Sequence, residues 1–554
     1  MPKNFLQKGL SLLLQRQTNI LSAALVIMAT VILSQFLGLI RQRLLVSIFG
    51  ASNTLGVYLA ANNFPDLLFQ IIIAGAFSSA FIPVFSDFLA KGKEEEGYKM
   101  ASTLLVVGCT VFFFFSLALF LFAPFFVNFF NLGGKYSVEQ MVLMANLTRI
   151  IIMAQFLFIG ATFFSALLQS YNHFFIPGIA AATYNLGIIF GIVAFSGNAG
   201  IYAPAYGSIL GGCFFVLVQL PMIKKVGFRF LPSCKLATVG VLEVVRLMWP
   251  RILSNGVFQI GVIAIASLIS FISDPGRNNV IFDYAKTLAF APVGLIGQTI
   301  AQAAFPVLSR ERENMEAFKA TFLTSFTQMF YLILPVSALL LVLRIPVVRL
   351  VFGAGQFDWA ATVLTGRTLA FFTISIFAQG LIYLVSRGFY ALHDTKIPLI
   401  VGCITTTGMI LLSILFVLYY HLGVTSIAFA YSITGIINLL ILFILLDRKI
   451  GGFNKKELFM PLIKIFLATL FTGVGLYIPI KLLDQLVFDT TRTINLLLLT
   501  GISSFVGLIF YLFLTWFLNV KEALTFVLLF KKVGNWREIL GTSEEVIDGT
   551  RFNP

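Results

Sequence analysis

Long apolar runs, each broken by a short cluster of charged, Gly, Pro or Asn residues, follow one another almost from end to end of this chain. A helix crossing the hydrocarbon core needs about 20 mostly apolar residues, and cutting the chain at its polar clusters leaves about fourteen such segments. They centre near Val31, Ile72, Phe115, Phe156, Ile188, Phe214, Ile260, Gly294, Ile333, Ile376, Leu411, Ile436, Leu470 and Ser504. Backbone groups in lipid must be satisfied within the segment, which makes helices of these runs. The expected fold class is therefore an all-α polytopic membrane protein with about fourteen transmembrane helices.

Composition sharpens that picture. Of 554 residues, 59% are hydrophobic and 11% charged, against about 25% charged in a soluble domain. No large soluble domain fits. A net charge of +15 raises the idea of a nucleic-acid partner, but the Lys and Arg fall in the breaks between apolar runs and form no single basic, aromatic-studded face, so none is expected.

Topology accounts for the charge instead, because Lys and Arg gather in short cytoplasmic loops. With the N-terminus inside, the cytoplasmic breaks hold Lys91, Lys93, Lys99, Lys224, Lys225, Arg229, Arg310, Arg312, Lys319, Arg448, Lys449, Lys455 and Lys456 among others. The opposite side holds only Lys135, Arg277, Arg344, Arg349, Lys481 and Arg492. Both termini come out cytoplasmic. Residues 1–18 are polar and basic and lead into an apolar run without a small-residue cleavage site, so the first helix is expected to be retained. Cys109, Cys213 and Cys403 lie in apolar runs and Cys234 in a basic loop, with no metal-ligand spacing, so neither disulfide nor metal is expected.

An internal repeat organises the chain. Ala80-Phe-Ile-Pro-Val-Phe-Ser86 recurs as Ala303-Ala-Phe-Pro-Val-Leu-Ser309, Phe130-Asn-Leu-Gly-Gly-Lys-Tyr136 resembles Val351-Phe-Gly-Ala-Gly-Gln-Phe357, and Ile176-Pro177 matches Ile397-Pro398. The matches share an offset of about 221 residues. A repeat of six spans has even parity, so both copies should run the same way through the bilayer, as two parallel six-helix lobes. The resulting division is a cytoplasmic segment 1–18, an N-lobe 19–226, a basic, partly amphipathic linker helix 227–247, a C-lobe 248–450, an appended helix pair 451–520 and a cytoplasmic tail 521–554.

Ionisable side chains at membrane depth are costly and normally face a cavity or a partner. Here they are Arg41, Arg43, Asp66, Arg149, Arg251, Asp283, Lys286 and Arg367, with cations in excess. A cavity lined by cations suits an anionic cargo such as a diphosphate, for which Arg offers a bidentate fork. Arg41, Arg251 and Lys286 are the leading cargo contacts. Arg43 sits near a span end and can snorkel, Arg149 and Arg367 fit a shared structural role as well as a functional one, and Asp283 and Lys286, three apart on one face, can neutralise each other. Gly38, Gly56, Gly75, Pro65, Pro83, Pro250, Pro292 and Pro306 interrupt the same spans, either for packing or as bends in moving parts.

At this point the chain resembles the MurJ (MviN) lipid II flippases of the multidrug/oligosaccharidyl-lipid/polysaccharide exporter superfamily. The resemblance rests on Ser34-Gln-Phe-Leu-Gly-Leu-Ile-Arg41, Gly75-Ala-Phe-Ser-Ser-Ala-Phe-Ile-Pro83, Gln219-Leu-Pro-Met-Ile-Lys-Lys-Val-Gly227, Phe352-Gly-Ala-Gly-Gln-Phe357 and Gly388-Phe-Tyr-Ala-Leu-His-Asp-Thr-Lys-Ile-Pro398. It implies a V-shaped pair of lobes, a cationic cavity for the diphosphate of lipid II, a groove for the polyprenyl tail at residues 451–520, and a bacterial cytoplasmic membrane. It also implies alternating access without a cofactor, driven by membrane potential or a monovalent cation, beside the cell-wall synthesis machinery. On this reading Arg41, Lys286, Arg251 and Arg149 bind the cargo, and Ser34, Gln35, Gly38, Asn63, Asp66, Gly75, Pro83 and Asp283 support or gate the site.

The chain departs from the family pattern at charged positions. Gln35 stands where an Arg is usual, Gln42 and Gly56 where acidic residues are, Phe69, Gln70 and Ala74 replace a paired Arg and a later Glu, and Lys286-Thr287 replaces an Asp-Arg pair. Arg41 alone is kept outright. Two other readings stay open: an exporter of another polyprenyl-linked oligosaccharide, of O-antigen or teichoic-acid type, and a membrane glycosyltransferase. The second would need acidic catalytic groups in a sizeable outer loop, and Asp274, Asp358, Asp484 and Asp489 are scattered over short ones. A cationic-drug exporter is disfavoured because the cavity would repel such cargo.

Overall fold

Helices begin where the chain supplies a cap and end where it supplies a turn. Ser52, Asn314 and Asp358 accept from the amide three residues on, and Ser137 with Gln140 completes a capping box, each meeting a donor that the helix cannot satisfy itself. The computed structural model describes residues 20–74, 80–131, 133–231, 239–486 and 493–523. Every regular element among them is helical. Contacts divide the chain into two units that meet in sequence between Ser270 and Phe271.

The first unit contains α1 (Ile20–Phe49), α2 (Asn53–Phe69), α3 (Ile82–Ala90), α4 (Glu94–Leu121), α5 (Ala123–Phe130), α6 (Val138–Ser170), α7 (Phe175–Ala199), α8 (Ala203–Leu217), α9 (Leu220–Val226) and α10 (Val241–Ile269). The second contains α11 (Pro275–Pro292), α12 (Thr299–Arg310), α13 (Met315–Val342), α14 (Arg344–Phe352), α15 (Trp359–Thr373), α16 (Ile376–Ala391), α17 (Lys396–Ile414), α18 (Val424–Lys449), α19 (Lys455–Leu486) and α20 (Thr493–Phe517). The repeat extends to the helix starts. Each of α1, α4, α5, α6, α7 and α8 begins 221 residues before its counterpart α10, α13, α14, α15, α17 or α18. The π turns Gln70–Ala74 after α2 and Val293–Gln298 after α11 also correspond. Each follows a helix carrying a proline, Pro65 or Pro292, whose missing amide loosens the ladder where the helix widens.

In the first unit, glycines set the closest approach. A Cβ on Gly187 would lie 2.3 Å from the Gly211 Cα, and one on Gly191 2.4 Å from the Gly207 Cα. Small residues four apart on both helices let α7 and α8 touch backbone to backbone, which drives association where no hydrophobic force between helices exists. Thr148 on α6 donates to the Ala61 carbonyl of α2 at 3.2 Å. The offset makes α10 the counterpart of α1, yet α10 contacts α2 and the first π turn and groups with the first unit. The boundary therefore falls at residue 270, about one helix later than the repeat places it.

In the second unit, Phe322, Phe326, Phe443 and Phe453 stack between α13, α18 and the turn after it. The appended pair is anchored on α13: α19 runs along it, and the Tyr511 hydroxyl of α20 donates to the Tyr331 carbonyl at 2.8 Å.

Of the expected linker helix 227–247, residues 232–238 lie outside the described residues; α9 closes on Gly227 in the left-handed region, and 241–247 are the first turns of α10, continuous through the expected boundary. Ten helices among the described residues are long and apolar enough to cross a membrane, or eleven counting the bent pair α15–α16. That measure merges α7 to α9 into one 52-residue stretch, although Gly200 turns the chain back at φ +54°. Fourteen remains the sequence expectation.

Candidate functional site

Two charged positions of the first unit, Arg41 and Asp66, belong to a polar cluster on α1, α2, α6, α7 and α8. Arg41 is half-buried on α1, within electrostatic reach of the Tyr58 and Tyr184 hydroxyls, which also feel Asp66. The Ser208 hydroxyl serves both tyrosines. Gln155 donates to Asp66 Oδ1 at 2.6 Å, and Asn62 to the Tyr58 carbonyl at 2.9 Å. A guanidinium has five donors in a planar fork, and nearby hydroxyls with one carboxylate are the kind of company a cation in an apolar span requires.

Ser34 and Gly38 belong to the seam beside that cluster. Asn185 Nδ2 donates to the Ser34 carbonyl at 3.2 Å and to its Oγ at 3.3 Å, and a Cβ on Gly38 would stand 4.0 Å from Asn185 Oδ1. Gln35 is exposed, Asn63 is half-buried on α2, and Pro83 is exposed in the first turn of α3. Gln42, where the family pattern has an acid, buries an Oε1 with no hydrogen-bond partner. Gly75 and the Arg251 side chain lie outside the described residues.

In the second unit, Asp283 and Lys286 are half-buried together on α11 and attract each other. Arg41 and Lys286 thus belong to different units, and each has a carboxylate in its own unit. Arg149 does different work. Its Nε donates to the Phe120 carbonyl at 3.0 Å and its Nη1 to Asn146 Oδ1 at 3.2 Å, with the guanidinium over the Phe120 ring. These bonds close the C-terminal end of α4, where a cation also meets the helix dipole. Cys109, Cys213 and Cys403 are free thiols, and Cys234 lies outside the described residues.

Sequence reasoning missed Tyr58, Tyr184, Ser208, Gln155 and Asn185, because attention to charge passes over neutral polar groups. Gln155 and Asn185 carried a usable signal, as amides inside otherwise apolar runs.

Comparison with known proteins bears on the whole arrangement. The family described as lipid II flippase MurJ matches residues 45–518. The probable lipid II flippase MurJ of Buchnera aphidicola from Acyrthosiphon pisum is 30% identical over 519 residues, covering 91% of this chain and 98% of its own length. The lipid II flippase MurJ of Burkholderia cenocepacia is 27% identical, over 80% of this chain and 85% of its own. Among solved structures, a lipid II flippase MurJ in an inward closed conformation superposes with a TM-score of 0.72 at 24% identity, over 88% of this chain and 99% of that one. An inward-facing multidrug resistance MATE family transporter of the MOP superfamily follows at a TM-score of 0.63 and 15% identity, over 77% and 98%. These structures show the shared fold. With a multi-pass helical membrane architecture, a repeat that runs from helix start to helix start, and the family match over most of its length, the chain belongs to the MurJ lipid II flippase family.

Proposed function

We propose that this protein is a flippase that carries lipid II, an undecaprenyl-diphosphate-linked peptidoglycan precursor, from the inner to the outer leaflet of a bacterial cytoplasmic membrane. The family match over residues 45–518 carries this reading. The Arg41 cluster gives it a physical form: the half-buried guanidinium receives a cargo phosphate, and Lys286 and Arg251 supply further positive charge. A few cations hold a diphosphate headgroup without trapping it, as alternating access requires. Membrane potential or a monovalent cation gradient drives the cycle, both termini lie in the cytoplasm, and the helix pair α19–α20 borders the polyprenyl tail.

The test is complementation of a MurJ-depleted cell together with an assay of lipid II exposed on the outer leaflet. Wild type restores growth and exposure, and Arg41→Ala abolishes both at normal expression. Lys286→Arg is tolerated because it keeps the charge and adds a phosphate fork. Full flipping by an Arg41→Ala, Lys286→Ala double variant would sink the phosphate role of these cations.

The replaced charges at Gln35, Gln42, Phe69, Gln70 and Ala74 favour one second reading, export of a different polyprenyl-linked oligosaccharide. Failure of complementation, with outer-leaflet exposure of such a glycolipid, would decide for it.

A further inference from the structure

The end of the second unit that carries α14 holds an open cavity of about 370 Å³ into which Arg344 and Arg367 both face. Leu341, Leu364 and Phe371 form apolar wall, and Thr425 adds a hydroxyl. Two guanidinium groups on one cavity repel each other, and the cost rises close to hydrocarbon. Asp358, a carboxylate at this end, is already engaged: it accepts two hydrogen bonds from Arg277 at 2.8 Å and one from the Ala361 amide at 2.6 Å. Arg349 lies over the Trp359 ring. Among the described residues Arg367 makes no hydrogen bond or ion pair, and Arg344 spends one N–H on the Leu341 carbonyl at 2.9 Å.

The repeat shows that the second cation is not required by the scaffold. Shifted by 221 residues, Leu341 falls on Phe120, Arg344 on Ala123, Arg367 on Asn146 and Ala370 on Arg149. In the first unit one cation, Arg149, closes the end of α4 on the Phe120 carbonyl. In the second, Arg344 performs the same closure for α13 from a different position. Arg367 stands where the first unit has a neutral amide, and the fold has no use for it.

We propose that Arg344 and Arg367 form a binding site for the phosphate of a membrane lipid. Paired guanidinium groups match a phosphate in charge and in bidentate geometry, and Thr425 offers one more donor. The apolar wall fits the first carbons of the esterified chain. Depth agrees: Trp359, which starts α15, and Tyr419, which closes the π turn Leu415–Tyr419 after α17, are 58% and 72% exposed, as in the aromatic belts at headgroup level. Arg367 lies about 12 Å further along α15, within reach of headgroup phosphates by snorkelling. The orientation proposed above puts the site in the outer leaflet; its existence does not depend on the transport reading.

The occupant is either a resident anionic phospholipid or a polyprenyl diphosphate, which share the phosphate ester. Native mass spectrometry of the purified full chain, titrated with phosphatidylglycerol, undecaprenyl diphosphate or oleate, tests the site without any transport step. Arg367→Gln is the deciding variant, because this exposed side chain holds nothing in place, whereas Arg344→Gln would also uncap α13. We expect Arg367→Gln to weaken phosphatidylglycerol retention at least tenfold, Arg367→Lys to restore part of it, and Arg149→Gln to leave it unchanged. Displacement of phosphatidylglycerol by undecaprenyl diphosphate would make the site a cargo station, and its absence would make it a resident lipid site. Unchanged retention in Arg367→Gln, or an equal loss of oleate binding, would overturn the proposal.

Discussion

At the level of single residues, a cation in an apolar run announces a polar site, but its partners decide what it does. Arg41 and the Asp283–Lys286 pair were legible from the sequence because charge in hydrocarbon needs company. The tyrosines around Arg41 were not, since a tyrosine in an apolar run fits packing equally well. Arg149 and Arg367 looked equivalent, and the 221-residue shift separates them: the counterpart of Arg149 is Ala370. Arg149→Gln should lower thermal stability by about 0.3–1 kcal/mol, the worth of a cation at a helix C-terminus, and leave complementation intact. A loss of flipping at unchanged stability would return Arg149 to the cargo site. Asp394, in the turn between α16 and α17, bonds Lys449 of α18 and the amides of Lys396 and Ile397. Burial alone would raise its pKa, but the Lys449 ammonium and the two amides outweigh it and hold the carboxyl below its ordinary value. A lowered folded-state value stabilises above the unfolded value of about 4 and loses that contribution as the pH falls through the folded one. Asp394→Asn should therefore lower the melting temperature at pH 7, and the gap to wild type should close below about pH 4. A gap that persisted there would mean the side chain acts through its shape.

Helices and their contacts were legible in proportion to how local their causes are. Caps, apolar runs and the repeat are written in neighbouring residues, so most helix starts follow the sequence. The π turns are not, because a widened turn depends on how the rest of the span packs around it. The far end of the linker expected at residues 227–247 shows a related effect: a basic, half-apolar stretch suits a surface helix, but residues 241–247 belong to the long helix that starts at Val241. Gly38, Gly56 and Gly75 were read as packing positions or bends, and the α7–α8 seam shows four other glycines as contact points. Gly187→Leu should push the helices apart, since its Cβ would lie 2.3 Å from backbone with no flexible neighbour to yield. Overpacking of this kind costs about 1–3 kcal/mol or more, readable as a lower melting temperature in detergent, whereas Gly197→Leu, with nothing within 4 Å, should be silent. Equal melting of the two variants would deny the seam its role.

For the whole chain, the even-span repeat makes a claim about membrane sidedness that each unit can be asked separately. Two copies of six spans cross the bilayer in the same sense, whereas an odd or inverted repeat would send equivalent turns to opposite faces. Lys93 and Glu313 follow α3 and α12, and Lys135 and Gln356 precede α6 and α15; all four are exposed. The basic bias puts the first pair in the cytoplasm and the second outside. In a chain whose native cysteines are replaced, Lys135→Cys and Gln356→Cys should react with a membrane-impermeant thiol reagent added to intact cells. Lys93→Cys and Glu313→Cys should react only after permeabilisation. Parity links the two units, so one pair alone proves little: labelling of Lys135→Cys with protection of Gln356→Cys would mean inverted copies, and labelling of Lys93→Cys with Glu313→Cys would turn the whole chain over. Reversed sidedness would also move the Arg344–Arg367 cavity to the inner leaflet, where it would meet lipid before transport and not after it.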